Sequence, residues 1–423
     1  MVNKGVAFSP TIRRYPLAAA LCVLGLLIGC GGDLGSGGST VVPGSNVAAI
    51  VVDGGPAAAV SGLNSAYVSV TVCAPGSTTN CQTIDHILLD TGSTGLRLLA
   101  SVVNTSLSLP QESNLASQPL YECLNFADSY AWGSIRLADV QIADGKAMSL
   151  PVQLIGDTAT PTTAPTDCSL ALTTTPRAPA DTVATLNANG VLGVGVFRED
   201  CGTGCTSAPG PGIAWQYYVC TTVCAGVTLD PSLQLQNPVY RFATNNNGVV
   251  IDLPAVGTSG SFGARGSLIL GIATQTNNAL GSATVLTVDG ATGYLTTVYN
   301  GQTLANSVID SASKGLYFDD VIPACPAATV ATALYCPGSG APLALSATIQ
   351  SAGNVPKSVD FAVGDALTLL TAQPSYNAFA NIAGPVNDAT TFDWGLPFFY
   401  GRRVFVAIEG QATSGGPGPY FAF

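Results

Sequence analysis

Two stretches of this chain read alike. The first is Ile87-Leu88-Leu89-Asp90-Thr91-Gly92-Ser93-Thr94-Gly95-Leu96, and the second is Val308-Ile309-Asp310-Ser311-Ala312-Ser313-Lys314-Gly315-Leu316. Each is an apolar run ending in Asp, followed by a hydroxyl residue, a small residue, Ser, and after two more residues Leu. An apolar run of this length reads as a buried strand, so the pattern delivers a carboxylate to a tight turn. Small residues there let another backbone come close, and the hydroxyls bond to the turn or to the acid. One copy alone would be an ordinary turn, because Asp, Thr, Gly and Ser suit turns for local reasons. Asp310 taken singly could equally cap its own loop. Repetition in the two halves of the chain separates these readings, since a duplicated unit can bring two carboxylates together.

Outward from the repeat, short runs rich in Val, Ile, Thr and Tyr occur at 66–73, 83–89, 133–142 and 267–272, separated by Gly, Asn, Asp and Pro. With 48 Gly and 27 Pro in 423 residues and no long amphipathic helix, the expected fold class is all-β with few short helices. The stretches 158–179, dense in Thr, Pro and Ala, and 198–231, rich in Cys, read as loops or insertions. Acidic residues outnumber basic ones 25 to 14, for a net charge of −11, which leaves no basic surface for nucleic acid. The one histidine, His86, rules out most histidine chemistry and any multi-histidine metal site. His86 reads as a packed or edge residue, and Arg97, just behind the first loop, as a structural charge. Carboxylates remain as the catalysts, with no cofactor and no metal expected.

Lys4, Arg13 and Arg14 precede an apolar run at 17–28, too short for a comfortable membrane span but suited to a signal peptide. The run ends in Leu27-Ile28-Gly29-Cys30, which resembles the bacterial lipobox, in which the Cys becomes the lipidated first residue. Residues 1–30 are then a leader and 31–45, nearly all Gly, Ser, Asp and Val, a flexible tether. The protein is expected in the bacterial cell envelope, lipid-anchored and periplasmic or surface-exposed.

Cys73, Cys81, Cys123, Cys168, Cys201, Cys205, Cys220, Cys224, Cys325 and Cys336 remain after the leader, an even set in an oxidising compartment. Cys73 with Cys81 and Cys325 with Cys336 are near enough to close local loops, and Cys123 can reach Cys168. The other four cannot be paired from sequence. They read as two disulfides or as a four-thiolate zinc site, and their spacing and compartment favour oxidation.

Asp90-Thr91-Gly92-Ser93 resembles the first signature of the pepsin-like aspartic peptidases, and Asp310-Ser311-Ala312-Ser313 resembles a degraded second one. Tyr130-Ala131-Trp132-Gly133-Ser134 is similar to the flap hairpin of that family, with Tyr130 in the place of its tyrosine. Asn189-Gly190-Val191-Leu192-Gly193-Val194-Gly195 resembles the strand that threads the first active-site loop. Gly266-Ser267-Leu268-Ile269-Leu270-Gly271 resembles the strand near the end of the first lobe. Trp394-Gly395-Leu396-Pro397-Phe398-Phe399, with Val404-Phe405-Val406, resembles the late threading segment. The pieces run in the family's order over 46–423. The chain is also similar to an uncharacterised bacterial lipoprotein family, a domain of unknown function with this lipobox, tether and repeat.

The resemblance implies a bilobal fold of two pseudo-symmetric β lobes, 46–282 with the Cys-rich insertion 198–231, and 283–423. It implies that Asp90 and Asp310 share one proton and activate a water against a peptide bond. Thr91 and Ser311 would hold the loops together, Ser93 and Ser313 would bond the outer carboxylate oxygens, and Tyr130 would close over an extended peptide or protein substrate. The chain is expected to be a monomer. Ala312 stands where the family has Gly, and Asp393 and Trp394 stand where two aliphatic residues are expected before Gly395. If the Ala312 methyl fills the space of a substrate carbonyl, the cleft would bind a peptide or assist envelope assembly without cutting.

Overall fold

The strand signals are local and the chain obeys them. A computed structural model describes residues 44–423 apart from 127, 158–162, 171–176, 211–212, 221–222 and 339. The leader, Cys30 and nearly all of the tether lie outside the described residues, as does part of 158–179. The described residues are predominantly strand with a few short helices, and no helix among them is long and apolar enough to cross a membrane.

The strands form a 16-stranded sheet, a 7-stranded sheet and a short two-stranded ribbon. In the larger sheet the hairpin Leu120–Asn125 and Ser129–Ile142 leads through Gly145–Ile155 and Thr94–Leu99 to Gly190–Val194 and Cys81–Asp90. The order continues through Ala66–Cys73, Val47–Val52, Ala264–Leu270 and Gly248–Leu253. Three strands from beyond residue 282 complete it, Arg402–Ala407, Tyr420–Ala422 and Val285–Thr287. A division at 282/283 therefore does not separate the sheets. Val404, Phe405 and Val406 pair antiparallel with Ile251, Val250 and Val249, so two apolar strands distant in sequence cover each other's open edges.

The smaller sheet contains Leu295–Tyr299, Gln302–Ile309, Leu316–Tyr317, Leu343–Gln350, Pro356–Val363, Ala383–Gly384 and Asp393–Trp394. One apolar cluster runs through both sheets, from Ile50 and Leu89 to Ile309 and Trp394. Trp394 stacks on Phe392 at a centroid distance of 4.1 Å and meets Phe361 edge to face at 5.5 Å. Its indole N–H donates to Thr297 Oγ1 at 3.0 Å, so this buried aromatic keeps its polar handle paired.

The cysteines pair as Cys73–Cys81, Cys123–Cys168, Cys201–Cys205, Cys220–Cys224 and Cys325–Cys336. Cys73 and Cys81 stand directly opposite on neighbouring strands, as do Cys220 and Cys224. The described residues of 198–231 include two short strands and not loop alone. Tyr217–Cys220 pairs with Leu120–Asn125 and with Cys224–Gly226, because Tyr-Tyr-Val-Cys suits a strand once a distant edge is available to it.

Candidate active site

Strand Cys81–Asp90 carries Asp90 to its end, and Thr94–Leu99 leads away from the turn. Gly190–Val194 lies between these two arms, parallel to the first with Leu88 opposite Val191 and Asp90 opposite Gly193, and antiparallel to the second. Only glycine allows this approach: a Cβ on Gly193 would stand 2.6 Å from the Thr94 amide nitrogen. The second half repeats the construction. Asp393–Trp394 runs parallel to Gln302–Ile309, with Val308 opposite Asp393, and antiparallel to Leu316–Tyr317. A Cβ on Gly395 would lie 2.6 Å from the Ser313 carbonyl oxygen. By register, Asp393 occupies in the second loop the position that Val191 occupies in the first.

The two loops interlock through their hydroxyl residues. The Thr91 amide donates to Ser311 Oγ at 3.1 Å, and the Ser311 amide donates to Thr91 Oγ1 at 3.0 Å. Thr91 Oγ1 in turn donates to the Ile309 carbonyl at 2.8 Å, and Ser311 Oγ to the Leu89 carbonyl at 2.7 Å. Each hydroxyl thus spends its one proton on the opposite strand and accepts from the opposite loop, and all of these groups are buried.

That lock brings Asp90 and Asp310 face to face. The Gly92 amide donates to Asp90 Oδ1 at 2.7 Å and the Ala312 amide to Asp310 Oδ1 at 2.9 Å. Ser93 donates to Asp90 Oδ2, and Ser313 Oγ donates to Asp310 Oδ2 at 2.9 Å. The two carboxyl groups hydrogen-bond to each other. A methyl on Gly92 would stand 3.0 Å from Asp310 Cγ and 3.2 Å from Asp90 Oδ1. Asp90 is 6% exposed and Asp310 2%. Burial, and after it the neighbouring Asp90, push the Asp310 carboxyl well above the usual carboxylate range.

Asp393, visible in the sequence only as a departure from an aliphatic pattern, sits directly behind this pair. Its Oδ2 lies 2.6 Å from Ser313 Oγ, the same hydroxyl that reaches Asp310. Burial, and then the nearby Asp310, raise its carboxyl well above the ordinary range. Its role is not legible in the sequence, because its approach to Ser313 depends on the threading of the second loop.

A cleft of about 710 Å³ opens beside the pair, reaching Gly92, Ser93 and Asp310 and walled by Phe197, Trp215 and Tyr294. Ala312 is not among its lining residues. Tyr130 is not either; it packs against the hairpin's own cluster of Tyr121, Cys123, Trp132 and Tyr218. Asp128 of that hairpin instead acts on the second loop, where its charge partly opposes the burial that pushes the Lys314 ammonium down to about 8. Arg97 is wholly buried beneath the first loop, donating to the Thr94 carbonyl at 2.8 Å and paired with Glu122 and Asp200. His86 lies 3.4 Å from Asp53 and packs edge to face on Tyr67, away from the carboxyl pair.

These features define a class: a disulfide-bonded β protein whose two halves meet at a pair of interlocked, acid-bearing loops. The chain belongs to the family described as a protein of unknown function (DUF3443), which matches residues 43–423. No curated protein matches it.

Proposed function

We propose that this chain is an aspartic-peptidase-like envelope protein of bilobal pepsin-like fold, held to the membrane by lipid on Cys30, that hydrolyses peptide bonds. The observation that carries the reading is the reciprocal lock of Thr91 and Ser311 together with the mutual hydrogen bond of Asp90 and Asp310. Two adjacent carboxylates cannot both ionise cheaply, so the pair shares a proton. The ionised member takes a proton from a water lying between them, whose oxygen adds to the scissile carbonyl carbon while the protonated member donates to the carbonyl oxygen. The tetrahedral intermediate then collapses as the leaving nitrogen is protonated by the acid that first served as base. The cleft beside Asp310 offers an extended peptide a place, and the five disulfides suit an oxidising extracytoplasmic compartment.

The test uses the full exported chain with an unfolded protein as substrate at acidic to mildly acidic pH. Cleavage is expected, with inhibition by a transition-state mimic bearing a central hydroxyl. Asp90→Asn is expected to lower turnover by roughly a thousandfold or more with an unchanged circular dichroism spectrum. Unchanged cleavage in that variant discards the mechanism.

A second reading keeps the fold without the chemistry; it needs the Ala312 methyl to occupy substrate space, and the absence of Ala312 from the cleft lining counts against it. Peptide would then bind in the cleft uncut, and Ala312→Gly would be the variant that brings turnover up.

A further inference from the structure

Ser313 presents a proton-counting problem. Its Oγ lies 2.9 Å from Asp310 Oδ2 and 2.6 Å from Asp393 Oδ2. A hydroxyl carries one proton and can donate it to one of these oxygens only; the other contact is favourable only if the carboxyl brings its own proton. Asp393 is 0% exposed, and its second oxygen, Oδ1, is buried with no hydrogen-bond partner among the described residues. An ionised carboxylate in that setting would leave a charged oxygen unpaired, which costs far more than leaving a neutral carbonyl oxygen unpaired. The titratable groups facing Asp393 are Asp310, Asp90 and the Tyr317 phenol, none of which brings positive charge.

We infer that Asp393 is a positioning residue of the acid pair: it stays neutral, donates from Oδ2 to Ser313 Oγ, and so commits the one hydroxyl proton of Ser313 to Asp310 Oδ2. The chain Asp393 to Ser313 to Asp310 has no counterpart in the first loop, where Val191 holds the matching register and Ser93 serves Asp90 alone. Two loops otherwise built alike therefore present their acids in different environments. The donated bond polarises Ser313 and strengthens its own donation, giving Asp310 an outer oxygen that is held in place and supplied with a donor at all times. Ionisation of Asp393 would turn the Ser313 proton away from Asp310.

The inference about activity rests on the peptidase reading; the inference about the proton does not. Infrared difference spectra of the full exported chain at neutral pH, wild type against Asp393→Asn, are expected to show loss of one protonated-carboxyl carbonyl band. Absence of that band from the difference overturns the proposal whether or not the protein cuts peptides. Asn can still donate to Ser313 but does not titrate, whereas Val copies the first loop and donates nothing. Asp393→Val is accordingly expected to lower kcat about tenfold with little change in KM, and Asp393→Asn to recover most of that loss and move the alkaline limb of the pH profile upward. Equal losses in both variants, or none in Val, overturn the positioning role. If the wild type cleaves nothing, the peptidase reading fails and the infrared result alone decides the protonation of Asp393.

Discussion

At the scale of single residues, the site depends on small differences between matched positions. Gly92 and Ala312 both donate their amides to an aspartate Oδ1, and Gly92 faces Asp310 so closely that a methyl would stand 3.0 Å from its Cγ. Gly92→Ala must therefore push the carboxyls apart by a few tenths of an ångström, and a cleavage assay is expected to show a loss of about a hundredfold, as misplacement of reacting groups commonly produces. The hydroxyl of Thr91 can be tested without touching an acid. Thr91→Val leaves the buried Ser311 amide without its acceptor and the Ile309 carbonyl without its donor. Two buried groups orphaned at 1–3 kcal/mol each predict a loss of about 2–6 kcal/mol in denaturant unfolding, most of which Thr91→Ser should restore. These residues were legible in the sequence, because Asp, Thr, Gly and Ser announce a turn wherever they stand and their repetition announces a pair. Asp393 was not, since nothing near it in the chain shows that Ser313 lies beside it.

At the scale of elements, local pairings were legible and distant ones were not. Cys73 and Cys81 sit either side of a turn, but Tyr217–Cys220 finds its partner in Leu120–Asn125, far back in the chain. Surrounding Gly, Pro and Ser hid a four-residue strand within what reads as loop. The Tyr130 hairpin belongs to a layered unit, stitched to the helix Thr166–Leu170 by Cys123–Cys168 and overlaid by the Tyr218 strand. Its disulfides should differ in weight. Closing a loop of sequence separation 45 limits the unfolded chain much more than closing one of separation 4. Chain-entropy arithmetic gives about 4 kcal/mol for the former and about 2 kcal/mol for the latter. Replacing Cys123 and Cys168 with Ala is thus expected to lower the denaturant midpoint more than replacing Cys220 and Cys224, and to raise amide exchange through 120–142. Equal effects would mean that the hairpin is held by its aromatic packing rather than by its crosslink.

At the scale of the molecule, the two halves are tied at several places besides the loops, and the sign of their charge sets how stability follows pH. Asn64, fully buried, donates to the Lys314 and Phe379 carbonyls at 2.7 and 2.9 Å, and accepts from the Phe379 amide and the Tyr400 hydroxyl. Such ties keep the acids buried together, and the burial has a thermodynamic consequence. Asp310, Asp393 and Asp200 are all raised well above the ordinary carboxylate range, each chiefly by burial. In the unfolded chain the same groups titrate near a pH of about 4. Between that value and their raised folded values the native chain holds more protons than the unfolded one, so unfolding releases protons and stability falls as pH rises. The stability these acids contribute is fully present below the unfolded value and is lost as pH climbs through the folded ones. Exposed Asp289, lowered by hydrogen bonds from Thr292 and Ala291, and half-buried Asp365, whose burial is outweighed by hydrogen bonds from Thr368 and Gly338, act oppositely but only in the more acidic range. Thermal unfolding is therefore expected to show a maximum Tm in mild acid and a decline toward neutrality. Asp393→Val, which removes one buried acid in favour of an apolar side chain, should flatten the decline without lowering the maximum. A wild-type Tm that climbs from mild acid to neutral pH would show that the buried carboxyls are ionised in the folded protein and would remove the shared-proton argument with them.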